Sequence, residues 1–599
     1  MLTAIRVGKF KAFSESQRIP IKPLTFIYGA NSSGKSSVLH SLLLARHIQE
    51  TGDLDVYRTT IGGESVDLGG FKQYIHQRNK ESDVYLEWEI SGKDLTKRLN
   101  ELLINVDKIK VGITIGFFND LLSFPKEILS ETPKKILYAF LKDAQKKNDE
   151  IEIKKYESAI ENAEELLSVE EVFKLKSELN VKSYSISIDN KPFLSASIRS
   201  DKVLQLDILD RDHKVLQFLI RTLIQFNSSS DNVKAKEIQY LKKHVDILIP
   251  KISFRVKNLL PFEIIPNEII QKRGDKRNFI PVKNETRKED LKQVITAYLP
   301  GIIEEIICEL KGIIENECLN RISYLGPLRY FPPRHIDINT QYDAGKIAGG
   351  AETWEILKRN REIRDRINKW FGDGTKFSTP YELQMKYLLT INSIKNKFEA
   401  LFNSASQDYY KNMLEDDYNE AQEEFESAIN NIPDHLEKLS PDLSDMSELI
   451  LFDKNKKTTV SHRDVGIGIS QVLPVLVTCF SSKNKIIAME QPEIHLHPAL
   501  QAELGDVFIE SALGEGKNIF LIESHSEHLL LRVMRRMRET YNDELPEGVP
   551  PVKPEDVCVL FVEPVGSHSI VREMQLNESG ELVKAWPGGF FEEGLREIF

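Results

Sequence analysis

The stretch "LTFIYGANSSGKSS", residues 24–37, decides how the rest of the chain is read. It opens on a short apolar run that a glycine-containing turn cuts off, the pattern of a buried strand. Residues 36–49, "SSVLHSLLLARHIQ", are rich in Leu and free of Gly and Pro, and Ser36 and Ser37 suit the first turn of a helix. Between the two, Gly29 to Ser36 fits GxxxxGK[ST], a pattern that is informative where a strand precedes it and a helix follows. Gly29 and Gly34 let the backbone curl, so that N–H groups through Asn31, Ser32 and Ser33, with the positive end of the helix, can surround phosphates. Lys35 adds a point charge for β- and γ-phosphates; the Ser36 hydroxyl, with Ser37 next to it, is a hard oxygen ligand for magnesium.

Outward from this loop, the residues before it read as short extended pieces, and "DVYLEWEI", 83–90, alternates like a half-buried strand. Three further apolar strands, "NKIIAME", "NIFLIES" and "DVCVLFVEP", are separated by helical stretches, which predicts a parallel sheet and an α/β fold. From about 96 to 320, Lys/Glu-rich helical patterns mix with short alternating strands such as "SYSISID", and this region is expected to be a mixed α+β insertion. "YLGPLRYFPPR", 324–334, marks re-entry into the core domain; two acidic helical patterns follow over roughly 380–440, then a hairpin over 448–462 turning at Asp453 to Lys456. The expected organisation is therefore an N-terminal lobe over 1–95, an inserted domain over 96–320, a C-terminal lobe over 321–555 and a short C-terminal element over 556–599.

The other half of the site lies some 455 residues beyond the loop. "IIAMEQPE" ends a strand on Glu490, which could reach magnesium directly or through a water, although it is one methylene longer than the usual Asp. "DVGIGISQVLPVL", 464–476, sets Gly466 and Gly468 before Ser470 and Gln471; Ser470 is expected to cap a helix starting there, which would make a second anion-binding device. "FLIESHSEHLL", 519–530, ends another strand with Glu523 and His525 close to where a γ-phosphate would lie.

With 599 residues, 41% of them apolar, the chain has material for two or three globular units. Its net charge of −11, from 91 acids and 80 bases, repels a phosphate backbone overall, so any DNA contact must be local. The four cysteines show no metal spacing and suit a reducing cytosol. No signal-peptide core and no run of about eighteen apolar residues is present, so a cytoplasmic location and no membrane contact are expected.

Five pieces together resemble the ABC-type ATPases of chromosome maintenance and DNA repair, and more closely the AAA-labelled bacterial ATPases related to the overcoming-lysogenization-defect family. They are "GANSSGKSS" as Walker A, "DVGIGISQ" in place of the signature, "IIAMEQPE" as Walker B, "HLHPALQ" as the D-loop region and "ESHSEH" as the switch histidine. "FKAF", "YLGPLRYFPPR" and the terminal "WPGGFF" look like features of a subgroup with a short C-terminal domain of unknown function. The resemblance covers about 1–95 and 320–599. It implies an ABC-type P-loop head with a parallel sheet core and N-terminal antiparallel strands, ATP and Mg2+ as cofactors, and a head-to-tail sandwich of two chains around ATP. By position it also makes Gln73 in "GGFKQYIHQ" a Q-loop candidate, with His76 close by.

In that family pattern the residue after the Walker B acid is a glutamate acting on the attacking water, whereas this chain has Gln491. General-base assistance is commonly worth about a hundred- to ten-thousand-fold, so slow hydrolysis is expected. Three readings stay open: Gln491 orients water without taking its proton, Glu493 or Glu523 is the base, or slow turnover is the design. Some relatives carry a Toprim nuclease after the head; here Pro564 stands where a glycine is expected, no Asp-x-Asp follows and 36 residues remain after Glu563, so a nuclease domain is not expected. The leading functional expectation is a nucleotide-gated sensor and scaffold of a bacterial anti-phage system, controlling a separately encoded effector such as a nuclease or toxin. The alternative is a repair or chromosome-processing ATPase that clamps DNA directly, for which the basic run "RVMRRMR", Arg532 to Arg538, would be the contact. A transporter subunit is disfavoured by the large insertion.

Overall fold

The computed structural model describes residues 2–103, 106–118, 133–147, 150–161, 177–200, 202–227, 235–265, 287–330, 344–372, 376–388, 391–415, 418–432, 446–460 and 467–591. Two large sheets organise them. The first is antiparallel and has nine strands: β1 (Leu2–Gly8), β2 (Gln17–Pro20), β4 (Val84–Ser91), β5 (Lys108–Phe118), β6 (Glu178–Ile188), β7 (Lys191–Ser200), β8 (Val203–Leu209), β9 (Ser253–Lys257) and β10 (Leu260–Ile265). Its spatial order is β10-β9-β8-β7-β6-β5-β4-β1-β2. Alternation sets its buried face: in β4, Val84, Leu86, Trp88 and Ile90 point into the core while Tyr85 and Glu87 stay partly exposed. Glu89 breaks the alternation and is buried too, held by Arg18 at 2.7 Å and Lys108 at 3.0 Å, cations that keep its carboxyl at about 2 against the penalty of burial.

The expected inserted domain is not a separate one. β5 pairs along the whole of β4, from Val84 opposite Ile115 to Ser91 opposite Lys108, and β6 to β10 extend that same sheet over one shared core. The charged helices of this region dominate its composition, and they hid strands that alternate and turn by standard means. β6 and β7, for example, are joined at Asp189 and Asn190, both in the left-handed region at φ 51° and 63°, as a tight two-residue hairpin requires.

The second sheet has six strands in the order β11-β15-β16-β3-β17-β18, comprising β3 (Leu24–Gly29), β11 (Ile322–Leu325), β15 (Ile486–Glu490), β16 (Ile519–Glu523), β17 (Val557–Val565) and β18 (His568–Met574). All neighbours are parallel except β17 and β18. Every residue of β3, β15 and β16 is buried because both faces are covered. Ile27, Ile486 and Ala488 join the core shared with the first sheet; Phe26, Tyr28, Ile487 and Met489 join a second core on the opposite face.

The expected C-terminal element likewise begins inside the six-stranded sheet. Its first strand, β17, pairs with the phosphate-loop strand β3 itself, from Val557 opposite Leu24 to Val562 opposite Gly29. The terminal aromatics then close over the sheet: Trp586 and Phe591 stand edge-on to Tyr28 at 5.7 and 5.5 Å, and Phe561 meets Trp586 and Phe590. Trp586→Ala should therefore cost about 2 to 3 kcal/mol, read as a lower denaturation midpoint in urea; an unchanged midpoint would show that these rings are not part of the folded core.

A third sheet of three strands carries β12 (Tyr381–Leu388), β13 (Met446–Asp453) and β14 (Thr458–Val460). The hairpin expected over 448–462 is present as far as Val460, its turn fixed by the Asp453 carboxylate accepting the N–H groups of Asn455 and Lys456; residues 461 and 462 lie outside the described residues. The first of the two acidic helical patterns begins later than expected, since 381–388 is the strand β12 and the helices run over Ile391–Glu415 and Tyr418–Asn430. Among the described residues, no helix is long and apolar enough to cross a membrane.

Candidate functional site

The carboxyl ends of β3, β15 and β16 open on one side of the parallel sheet, where ligand sites of such sheets form. The β3 end turns into the helix α1 (Lys35–Thr51) through a loop with Gly29 at φ 148°, Ser32 at φ 59° and Gly34 at φ 95°. Gly34 is demanded twice, by that backbone and by space: a Cβ there would lie 2.4 Å from the Ala12 Cβ. "FKAF", residues 10–13, is thus the turn that backs the loop. Lys35 is buried; its Nζ donates to the carbonyls of Gly29 at 3.1 Å and Ala30 at 2.9 Å and stands 4.0 Å from Glu523 Oε1. Burial lowers its pKa, and the carboxylates of Glu523, Glu493 and Glu490 oppose that shift. Ser33 Oγ is buried with no hydrogen-bond partner among the described residues. Asn31 and Ser32 are exposed at the tip, and Ser37 sits buried in the first turn with its N–H on the Gly34 carbonyl.

The acids face this loop. Glu490 and Glu523 are register partners on adjacent strands. Ser36 donates to Glu523 Oε2 at 2.7 Å, so the loop hydroxyl meets the acid of β16, while Glu490, expected with Ser36 as a magnesium ligand, ends the next strand. Burial first, and then the charge of Glu490, raise Glu523 to about 7 against the downward pull of Ser36 and Lys35. Glu490 Oε1 accepts from the Tyr324 hydroxyl at 2.9 Å and lies 3.2 Å from His40 Nε2. His40 Nδ1 is 2.8 Å from Lys11 Nζ. An ammonium can only donate, so Nδ1 accepts and the ring proton sits on Nε2, aimed at Glu490. Burial lowers both Lys11, to about 8, and His40. Glu493 is buried and pushed up by burial; Oε1 accepts the His525 N–H at 2.7 Å, and Oε2 has no partner among the described residues. Half-buried His525 is thereby held beside the acids by its backbone, and burial lowers its ring pKa.

Gln491 adopts the left-handed region at φ 44°, a strain of about 1 to 2 kcal/mol for a residue with a side chain. Its N–H donates to the Glu523 carbonyl at 2.8 Å and its own carbonyl accepts Arg329 Nη2 at 3.0 Å, so both ends of the turn are tied.

The signature stretch departs from expectation. Its helix α3 (Ile467–Ser481) starts three residues before Ser470, which is fully buried inside the first turn and so does not cap a helix start or present its hydroxyl to an anion outside. The cause is the apolar run "IGISQVLPVLV", which draws the helix into the second core. Gly468 remains tight, since a Cβ would lie 2.8 Å from the His495 carbonyl; Gln471 is buried with Nε2 on the Arg329 carbonyl at 3.4 Å. Gly466 lies outside the described residues. Gln73 is exposed on the short helix α2 (Phe71–Tyr74) and lines a cavity of about 570 Å³ that Lys11 also lines. The adjacent His76 is buried with Nδ1 2.8 Å from the Lys11 carbonyl, which packs this stretch onto the "FKAF" turn.

Four residues of the site, Lys11, His40, Tyr324 and Arg329, carry no role in the sequence reading. Three lie in motifs it quotes, "FKAF" and "YLGPLRYFPPR". His40 falls four residues after Ser36, on the same face of α1, which is the signal that could have found it. Chemically, the loop offers an anion the donors of the Lys35 ammonium and the Ser33 hydroxyl, the latter without another partner among the described residues. The Ser36 hydroxyl with the two carboxylates is the hard oxygen set that suits magnesium, an ion that keeps several of its own waters. No cluster of three or more His, Cys, Asp or Glu with metal-holding geometry occurs among the described residues. The basic run is largely consumed inside the protein, where Arg532 pairs with Glu503 and Asp506, Arg536 with Asp506 and Glu539, and Arg535 with Glu539.

Residues 380–530 match the family described as AAA ATPase domain, a span that holds β15, β16 and α3 but not the phosphate loop. No curated protein sequence matches the chain. Solved structures that match include the SMC head domain from Thermotoga maritima, which shares 7% identity over 96% of this chain and 99% of that one, with a TM-score of 0.31. An Smc head with an extended coiled coil, bound to the C-terminal domain of ScpA and derived from Pyrococcus furiosus, shares 11% over 100% and 98%, also at 0.31. The recombination mediator protein RecF shares 10% over 96% and 98%, at 0.26.

Proposed function

We propose that the chain is an ATP-binding, slowly hydrolysing ATPase of the ABC type whose nucleotide gates self-association. The observation that carries this reading is the convergence, across about 490 residues of sequence, of Lys35 and Ser36 on Glu523 at the open end of the parallel sheet. Bound there, ATP supplies the phosphoanhydride bond that is broken. Gly29 to Ser36 and Lys35 would hold its β- and γ-phosphates, and Ser36 with Glu490 would hold the magnesium. Glu523, near pKa 7, is partly ionised at neutral pH and is the acid best suited to take a proton from water, with Gln491 orienting that water by its amide. Glu493 is less suited, because its Oε1 is committed to the His525 N–H.

The finer reading, a sensor and scaffold of bacterial anti-phage defence that controls a separately encoded nuclease or toxin, rests on the resemblance of the motifs. The competing DNA clamp loses support from the arginine run, because Arg532, Arg535 and Arg536 are paired with Glu503, Asp506 and Glu539. Turnover stimulated by plain duplex DNA, with a steep salt dependence, would restore it.

The test is the mass of the purified protein in solution with and without ATP and magnesium. A shift from one chain to two or more on adding both is expected; no shift and no ATP taken up would overturn the proposal. Co-expression with the product of the adjacent gene, giving a complex that ATP alters, tests the defence reading.

A further inference from the structure

Arg329 is the one arginine whose guanidinium reaches the Glu490–Gln491 turn among the described contacts. It is 5% exposed, and burial lowers it to about 10. Nη2 donates to the carbonyls of both Glu490 and Gln491 at 3.0 Å, while Nε and Nη1 have no hydrogen-bond partner among the described residues. Glu493 is the carboxylate that acts on it through space, and Glu493 Oε2 is also without a partner. A buried charge with unmet donors costs stability relative to an apolar side chain of similar size. What Arg329 holds is therefore the feature that its burial leaves unexplained.

It holds a strained turn. Gln491 stays at φ 44° because its N–H is fixed to the Glu523 carbonyl and its carbonyl to Arg329. The backbone carbonyl of Arg329 in turn accepts from Gln471 on α3, so one residue connects the signature helix to the turn that aims the Gln491 side chain. The Glu490 carboxylate has its own supports, Tyr324 and His40, and does not depend on Arg329 for its direction.

We propose that Arg329 is a positioning residue of this site: its guanidinium locks the Glu490–Gln491 turn, and it acts on turnover through the aim of Gln491. This deepens the ATPase reading and rests on it. The test is a double-mutant cycle on single-turnover ATP hydrolysis, with ATP affinity measured alongside. Arg329→Met should lower the hydrolysis rate at least tenfold while the Kd for ATP stays within about threefold. In a Gln491→Ala background the same substitution should cost less than threefold, because the side chain it aims is gone. Equal losses in the two backgrounds, or a loss of ATP affinity in step with rate, would overturn the inference. If Arg329→Met does not yield folded protein, Arg329→Lys carries the same comparison, with a smaller loss expected in the wild-type background and none beyond twofold in Gln491→Ala. Failure of the wild-type chain to take up ATP would instead remove the reading beneath, so the two failures are distinct.

Discussion

Lys35→Ala is expected to weaken ATP binding by at least about a hundredfold, and with it to abolish any ATP-dependent change in mass. A charge-assisted hydrogen bond contributes about 1.5 to 3 kcal/mol, and an ammonium between two phosphates makes more than one; about 2.7 kcal/mol already corresponds to a hundredfold in Kd. The side chain is buried, and its amine is held by the carbonyls of Gly29 and Ala30 beside Glu523. Removing it also takes away a cation that pulls Glu523 down, so that acid rises from about 7 and is protonated more often at neutral pH. Two effects therefore act together, a lost phosphate contact and a base that is less often ionised. Titration with a fluorescent ATP analogue, followed by a mass measurement at saturating ATP and magnesium, checks the first. The variant should retain a cooperative thermal transition without nucleotide; if it does, and still binds ATP within tenfold of wild type, the phosphate loop is not the nucleotide site.

What could be read in the sequence divides along physical lines. The loop, the strand before it and the helix after it are local, and their chemistry is written in consecutive residues from Leu24 to Ser37. Glu490 and Glu523 could each be placed at a strand end for the same reason. Their pairing was not legible: that Ser36 meets Glu523 follows from β16 lying between β3 and β15, a fact of strand order that no short stretch encodes. The Lys11–His40–Glu490–Tyr324 chain joins four separate segments and is visible only when they fold together. Ser470 misled because glycines before a hydroxyl resemble a cap, whereas the apolar run after it has enough burial to extend the helix back over Ile467. The boundaries at 95 and 555 misled because composition shifts where helices change character, while sheet pairing runs straight across both.

The second large effect concerns the base. Glu523→Gln keeps the shape and an oxygen able to accept from Ser36, so ATP binding should stay within about threefold, while hydrolysis should fall by about a hundred- to ten-thousand-fold because an amide takes no proton. The wild-type rate should rise about tenfold per pH unit up to about 7 and level above it, since the carboxylate must be ionised to act. In Glu523→Gln that rising limb should be gone. The same group sets a stability trend of opposite sense. Its folded pKa stands above the ordinary value of 4.5, so the native state holds its proton more tightly than the unfolded chain. Stability from this group is then fully present below about 4.5 and is lost as pH rises toward 7, by about 3 kcal/mol at most. Activity and stability thus move in opposite directions over the same window, which a merely structural acid would not produce. Gln491→Glu supplies the arm that separates the readings of the glutamine. With Glu523 as base, a further carboxylate beside Glu490 and Glu493 raises Glu523 by repulsion and moves the rising limb to higher pH, with little gain in the plateau rate. A plateau that climbs a hundredfold, or a Glu523→Gln variant that keeps a tenth of wild-type turnover, would mean that the chain is slow for want of the glutamate at 491 and that Glu523 serves only to hold Ser36 and Lys35 in place.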